Sequence, residues 1–128
     1  MADEILIVED NSNDVILMLN ALDSLTNEKV VCRDAEEALD YLQRVNDQPV
    51  LILLDLGLPL MDGATFAYRV RHSDKTRAIP IVIVTGSPGL EGRMFSIEAE
   101  AYLLKPLTIE GLVSVLPRLK LKWSIRHD

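Results

Sequence analysis

Val50-Leu51-Ile52-Leu53-Leu54-Asp55 decides the reading of this chain: five apolar residues run straight into one carboxylate. An unbroken apolar run of this length, rich in Leu and β-branched residues, fits a strand buried on both faces of a parallel sheet. Asp55 then stands at the carboxyl end, the edge at which open α/β sheets hold their ligands. Leu56-Gly57-Leu58-Pro59 cannot extend the strand, because Gly loosens the backbone and Pro lacks a donor. Taken alone, Asp55 is equally well explained as a cap on the following turn. The decision rests on what the other strand ends carry.

Upstream, Ile5-Leu6-Ile7-Val8 reads as a first buried strand, and it too ends in acid, Glu9-Asp10. Asn11-Ser12-Asn13-Asp14 is a turn and helix-cap cluster, and Val15, Met18, Leu19 and Leu22 recur at helical spacing, which predicts a helix over about 13–25. A second strand spans about 28–33, and Asp34 with Glu37 forms a capping-box-like pair for a helix over about 35–46. Downstream, Asp62-Gly63 opens a helix over about 63–73, with Phe66, Ala67 and Val70 facing inward. Ile81-Val82-Ile83-Val84 is a fourth strand ending in Thr85-Gly86. Met94, Phe95 and Ile97 predict two turns of helix near 91–98, weakened at the start by Pro88, Gly89 and Gly92. Tyr102-Leu103-Leu104 is a fifth strand ending in Lys105-Pro106. Thr108 caps a last helix of about 109–121, which Pro117 should kink or end early.

Five alternations of strand and helix with short connections predict an α/β fold: a doubly wound, five-stranded parallel sheet covered on both faces. In such a sheet all carboxyl ends share one edge. Glu9, Asp10, Asp55, Thr85 and Lys105 should therefore converge, which turn chemistry at four separate strand ends does not explain. Clustered carboxylates are costly unless a cation neutralises them, and hard oxygen ligands suit Mg²⁺ with a phosphate. The central carboxylate, Asp55, can act as the nucleophile and form an aspartyl phosphate. The metal, Lys105 and backbone N–H groups offset the phosphoryl charge, and Thr85 can donate to it.

Composition narrows the classes. The chain has 128 residues, simplest as one domain over 1–128, with 48% hydrophobic residues to build a core. Its 13 basic and 20 acidic residues, −7 in formal charge, argue against a general nucleic-acid or anionic-membrane binder. Cys32, the lone cysteine, has no internal disulfide partner, which fits a cytoplasmic setting, and it reads as a small buried residue in a strand. The start, Met1-Ala2-Asp3-Glu4, lacks a signal-peptide pattern, and no apolar run nears the roughly 18 residues of a membrane span. His72 and His127 have no metal-ligand partner at a usable spacing and read as surface residues; Tyr68, Arg69 and Arg71 read as a solvated helix face.

At these residues the chain resembles the receiver-domain family of two-component response regulators. The resemblance rests on Ile7-Val8-Glu9-Asp10-Asn11, on Leu54-Asp55-Leu56-Gly57-Leu58-Pro59-Leu60-Met61-Asp62-Gly63, on Ile83-Val84-Thr85-Gly86 and on Tyr102-Leu103-Leu104-Lys105-Pro106, in this order and spacing. It implies a flavodoxin-like (βα)5 fold with strand order 2-1-3-4-5. Asp55 would accept a phosphoryl group from a sensor histidine kinase or exchange it with a histidine phosphotransfer protein. Asp10, Asp55 and the Gly57 carbonyl would ligate Mg²⁺ directly, with Glu9 acting through water. Lys105 would pair with the phosphoryl group, and its bond to Pro106 would be cis. Thr85 and Tyr102 would form the switch that reshapes the face made by the 91–98 helix, the fifth strand and the last helix. The stretches from Glu9 to Val15 and from Ala35 to Leu42 look more particularly like single-domain regulators of bacterial phytochromes, which implies a homodimer and a light-sensing kinase.

The chain also departs from the family. The span from Thr85 to Lys105 is about two residues short, and Glu98 stands where a Gly is usual. Gly57, two past the acceptor, has no side chain to help or hinder attacking water. In the atypical tail, about 118–128, Leu119, Leu121, Trp123 and Ile125 alternate with basic residues; the period of two fits an extended arm, either folded back or contacting a partner. The expected function is a stand-alone response regulator, signalling by protein contact and not an enzyme. The alternative is a pseudo-receiver, an unphosphorylated interaction or dimerisation module. A small-molecule phosphatase is disfavoured because Gly57 occupies the place of its second carboxylate, and a flavin site because Glu9-Asp10 would repel phosphate.

Overall fold

In a computed structural model, the apolar runs form one parallel sheet and the amphipathic stretches pack on its two faces. The structure describes residues 3–55, 63–86 and 99–119. The strands are β1 (Ile5–Val8), β2 (Lys29–Cys32), β3 (Leu51–Leu54), β4 (Ile81–Thr85) and β5 (Ala101–Leu104). The helices are α1 (Ser12–Ala21), α2 (Ala35–Arg44), α3 (Gly63–Arg71) and α4 (Ile109–Leu119). All pairings are parallel and the order is β2-β1-β3-β4-β5, the flavodoxin-like arrangement.

The side-chain alternation of each strand divides the core in two. Leu6, Val8, Ile52, Leu54, Ile81 and Ile83 face α2 and α3, packing on Ala38, Leu42, Phe66 and Val70. Ile5, Ile7, Leu51, Leu53, Val82 and Val84 face α1 and α4, packing on Met18, Leu22, Leu112 and Val115. Every residue of β1, β3 and β4 is buried, which is why these strands read as unbroken apolar runs.

Three helices stop short of their predicted ends. Beyond α1, Asp23 and Leu25 donate to the carbonyls of Asn20 and Leu22, so the chain tightens into three-residue turns. α2 ends at an extended Val45, and Gln48 Nε2 donates to the carbonyls of Leu42 and Val45. α3 ends at Arg71, with His72 donating its backbone N–H to Tyr68. At the start of α2, Asp34 accepts from the Glu37 N–H, but Glu37 reaches back to the N–H of Arg33, one residue further than a standard capping box. Pro117 lies inside α4, whose described end is Leu119. The predicted helix near 91–98, Gly57 and the tail from 120 onward lie outside the described residues.

Register fixes the functional edge. Val8 pairs with Leu54 and with Cys32, and Leu54 pairs with Ile83, so the chain leaves these strands at one level. The Asp55 N–H donates to Val8 O at 3.1 Å and the Glu9 N–H to Cys32 O at 3.0 Å, carrying the ladder one residue into the site. The Lys105 N–H does the same to Thr85 O at 2.8 Å.

Candidate functional site

The strand ends bring three carboxylates together: Glu9, Asp10 and Asp55 offer oxygens that all lie within 4.8 Å of one another. Glu9 has no exposed surface, Asp55 is buried at the end of β3, and Asp10 is exposed at the start of the β1–α1 loop. That loop is pinned by Arg33, whose Nη2 donates to Asp10 O at 2.7 Å and to Ser12 Oγ at 3.1 Å. Asn11 caps α1 by accepting the Asp14 N–H, and its own N–H donates to Glu9 Oε2.

Lys105 reaches into this cluster from the end of β5. Its Nζ lies 2.8 Å from Asp14 Oδ2, 3.0 Å from Glu9 Oε1 and 3.4 Å from Asp55 Oδ1. The Asp14 contact is an aligned hydrogen bond. The Glu9 contact is an ion contact, and among the described residues Glu9 Oε1 is buried without a hydrogen-bond partner. Burial would pull the Lys105 ammonium down, but the Asp14 hydrogen bond and the nearby Glu9 and Asp55 carboxylates outweigh it and hold the group above its usual range. Burial pushes the Glu9 carboxyl up to about 7, against the pull of Lys105 and with the Asp55 charge adding to the rise.

Thr85 is buried at the end of β4, and the Lys105–Pro106 bond is cis. Tyr102, on β5, is partly exposed at 39%, with Leu104 exposed on the same strand. Gly57 lies outside the described residues. The residues present suit a hard divalent cation. The donor set is all oxygen, it carries more negative charge than Lys105 balances, and Glu9 Oε1 is left unsatisfied.

Sequence reading missed two residues. Asp14 reads as part of a cap cluster, yet its carboxylate is on Lys105; the available signal was its place in the first turn of a helix that starts at the functional edge. Arg71 is not on a solvated face. Its side chain is 11% exposed and salt-bridged to Glu100 at 2.6 Å, and it donates to the carbonyls of Arg77 and Ile79. Glu100 in turn accepts the Ile81 N–H, tying α3 to the starts of β4 and β5. His72 is on the surface as expected, stacked on Tyr68 with ring centroids 3.8 Å apart.

The flavodoxin-like sheet thus gathers an acid pair, a buried Asp and a Lys at one edge, the arrangement of an α/β domain whose oxygen donors suit a divalent cation. The chain belongs to the response regulator receiver domain family, which it matches over residues 5–117. It is 36% identical over 128 residues to the "Probable methanogenesis regulatory protein FilR2" of Methanothrix harundinacea, covering 93% of this chain and 82% of that protein. The bacteriophytochrome response regulator AtBRR superposes with a TM-score of 0.89 at 35% identity, covering 100% of this chain and 99% of that one. The receiver domain of sensor histidine kinase PA1611 from Pseudomonas aeruginosa, solved with a magnesium ion coordinated in its active-site cleft, gives a TM-score of 0.81 at 27% identity, covering 93% and 98%.

Proposed function

We propose that this protein is a single-domain response regulator that takes a phosphoryl group on Asp55 from the phosphohistidine of a sensor kinase. The observation that carries this reading is the meeting of Glu9, Asp10 and Asp55 oxygens within 4.8 Å, with Lys105 Nζ 3.4 Å from Asp55. In the transfer, an Asp55 carboxylate oxygen bonds to phosphorus as the phosphorus–nitrogen bond to the donor imidazole breaks, and the imidazole leaves with the electron pair. Asp10 and Asp55, with the Gly57 carbonyl, would hold Mg²⁺, and Glu9 would act through water. The ion, when bound, supplies positive charge for the phosphoryl oxygens. Lys105 contributes a second positive charge, and Thr85 a hydroxyl donor. The turn of that hydroxyl toward the phosphate, with inward rotation of Tyr102, is the switch.

On this reading the receiver domain signals by protein contact. The donor is a phytochrome-type kinase on this reading, supported by the likeness to AtBRR, and a homodimer is part of the same proposal. A cytoplasmic setting fits the free, buried thiol of Cys32. The test is intact mass after incubation with acetyl phosphate and Mg²⁺. One added phosphoryl group, absent in Asp55→Asn and absent without Mg²⁺, is the expected result. No adduct under any of these conditions would leave the unphosphorylated interaction module as the better reading.

A further inference from the structure

Asp14 belongs to neither the acid pair nor the acceptor strand, yet it makes the shortest contact to Lys105. Its Oδ2 accepts from Nζ at 2.8 Å, against 3.4 Å from Nζ to Asp55 Oδ1. The Asp14 backbone is fixed, since its N–H caps on Asn11 Oδ1 in the first turn of α1. Its side chain is 30% exposed and borders a cleft of about 450 Å³ that Lys105 and Gly86 also line. Lys105 Nζ is thus held between Asp14 and Glu9, at 2.8 and 3.0 Å, with Asp55 the most distant of its three carboxylate contacts. The three Nζ donors already face Asp14, Glu9 and Asp55, so a phosphoryl group on Asp55, which brings further acceptor oxygens, would compete with Asp14 for the same ammonium.

We propose that Asp14 is a positioning residue that holds Lys105 toward α1 in the unphosphorylated protein and so sets how strongly Lys105 engages a phosphoryl group on Asp55. The inference rests on the phosphoacceptor reading. Asp14 touches no reacting atom and acts through Lys105 alone. Releasing Lys105 from Asp14 frees it for the anion. A longer acid at the same place keeps the hold.

The experiment is a titration with beryllofluoride, a phosphoryl mimic, at saturating Mg²⁺, on the wild type, Asp14→Asn, Asp14→Glu and each Asp14 form in a Lys105→Met background. Asp14→Asn should tighten binding about three- to tenfold, the scale of one partly screened ion pair. Asp14→Glu should stay near wild type, and Asp14→Asn should change nothing once Lys105 is Met. Unchanged or weaker binding in Asp14→Asn, or an equal gain without Lys105, overturns the proposal. A second readout needs neither metal nor beryllofluoride: the ¹⁵N-resolved ammonium signal of Lys105. Slow proton exchange in the wild type that is lost in Asp14→Asn supports the hold, and identical signals overturn it. Wild-type protein that binds no beryllofluoride would count against the phosphoacceptor reading, and the ammonium signal would then judge Asp14 by itself.

Discussion

Glu9 shows what a single residue pays for its place. A carboxyl with no exposed surface and one unsatisfied oxygen is pushed up to about 7. A raised carboxyl means that the folded protein holds the proton more tightly than the unfolded chain, whose value is 4.5. Its stabilising share is therefore complete below 4.5 and is lost as pH rises through about 7. In EDTA the melting temperature should fall from pH 5 to pH 8, and Glu9→Gln should flatten that fall; a wild-type curve matched by Glu9→Gln would contradict it. Of the residues that meet at this edge, Glu9, Asp10, Asp55 and Lys105 could be read from sequence because each ends or follows an apolar run. Asp14 could not, because a helix-cap cluster explains an Asp without reference to a partner 91 residues away. Arg71 was misread for the same reason: its partner Glu100 comes 29 residues later, beyond any local pattern.

Among the elements, the strands were legible and the helix ends were not. Strands buried on both faces announce themselves as continuous apolar runs, and those predicted at 5–8, 50–55 and 81–84 fall on β1, β3 and β4. Helix ends depend on tertiary partners, such as the Gln48 amide that closes α2 on Leu42 and Val45. The sheet rests on its helices through a few large side chains. Phe66, fully buried on α3 among residues of β1, β3 and β4, is the largest of these. Phe66→Ala should cost about 3–5 kcal/mol in urea denaturation with little change in slope, since the cavity cannot collapse against a sheet. At the surface, Asp34→Ala should cost about 1 kcal/mol by removing the acceptor of the Glu37 N–H. Losses of similar size from both variants would mean that the core on this face is loosely packed.

At the scale of the whole molecule, the ends of β1, β3 and β5, distant in sequence, become one charged edge with the first turn of α1, and carboxylates outnumber the ammonium there. Among the described residues, Glu9, Asp14 and Asp55 meet the Lys105 ammonium, and Asp10 lies beside Glu9 and Asp55. Folding the chain and binding a cation are therefore linked. Mg²⁺ at a hundredfold excess over its Kd should stabilise the protein by about 2.7 kcal/mol, read as a rise in melting temperature. Asp10→Asn should abolish most of that rise without lowering the metal-free melting temperature. An equal rise in the variant would place the ion elsewhere. The topology was legible from alternation alone, whereas the order 2-1-3-4-5 came with the family resemblance and stands in the structure.

The central claim is that, of the carboxylates gathered at this edge, Asp55 is the one that carries the phosphoryl group. The measurement that tests it most directly is borohydride reduction of protein phosphorylated with acetyl phosphate, followed by tandem mass spectrometry, because reduction turns an aspartyl phosphate into homoserine at the site of attachment. Homoserine at position 55, and at neither 10 nor 14, is the predicted result. Homoserine at one of those other positions, or none in protein whose mass shows the adduct, would contradict the account.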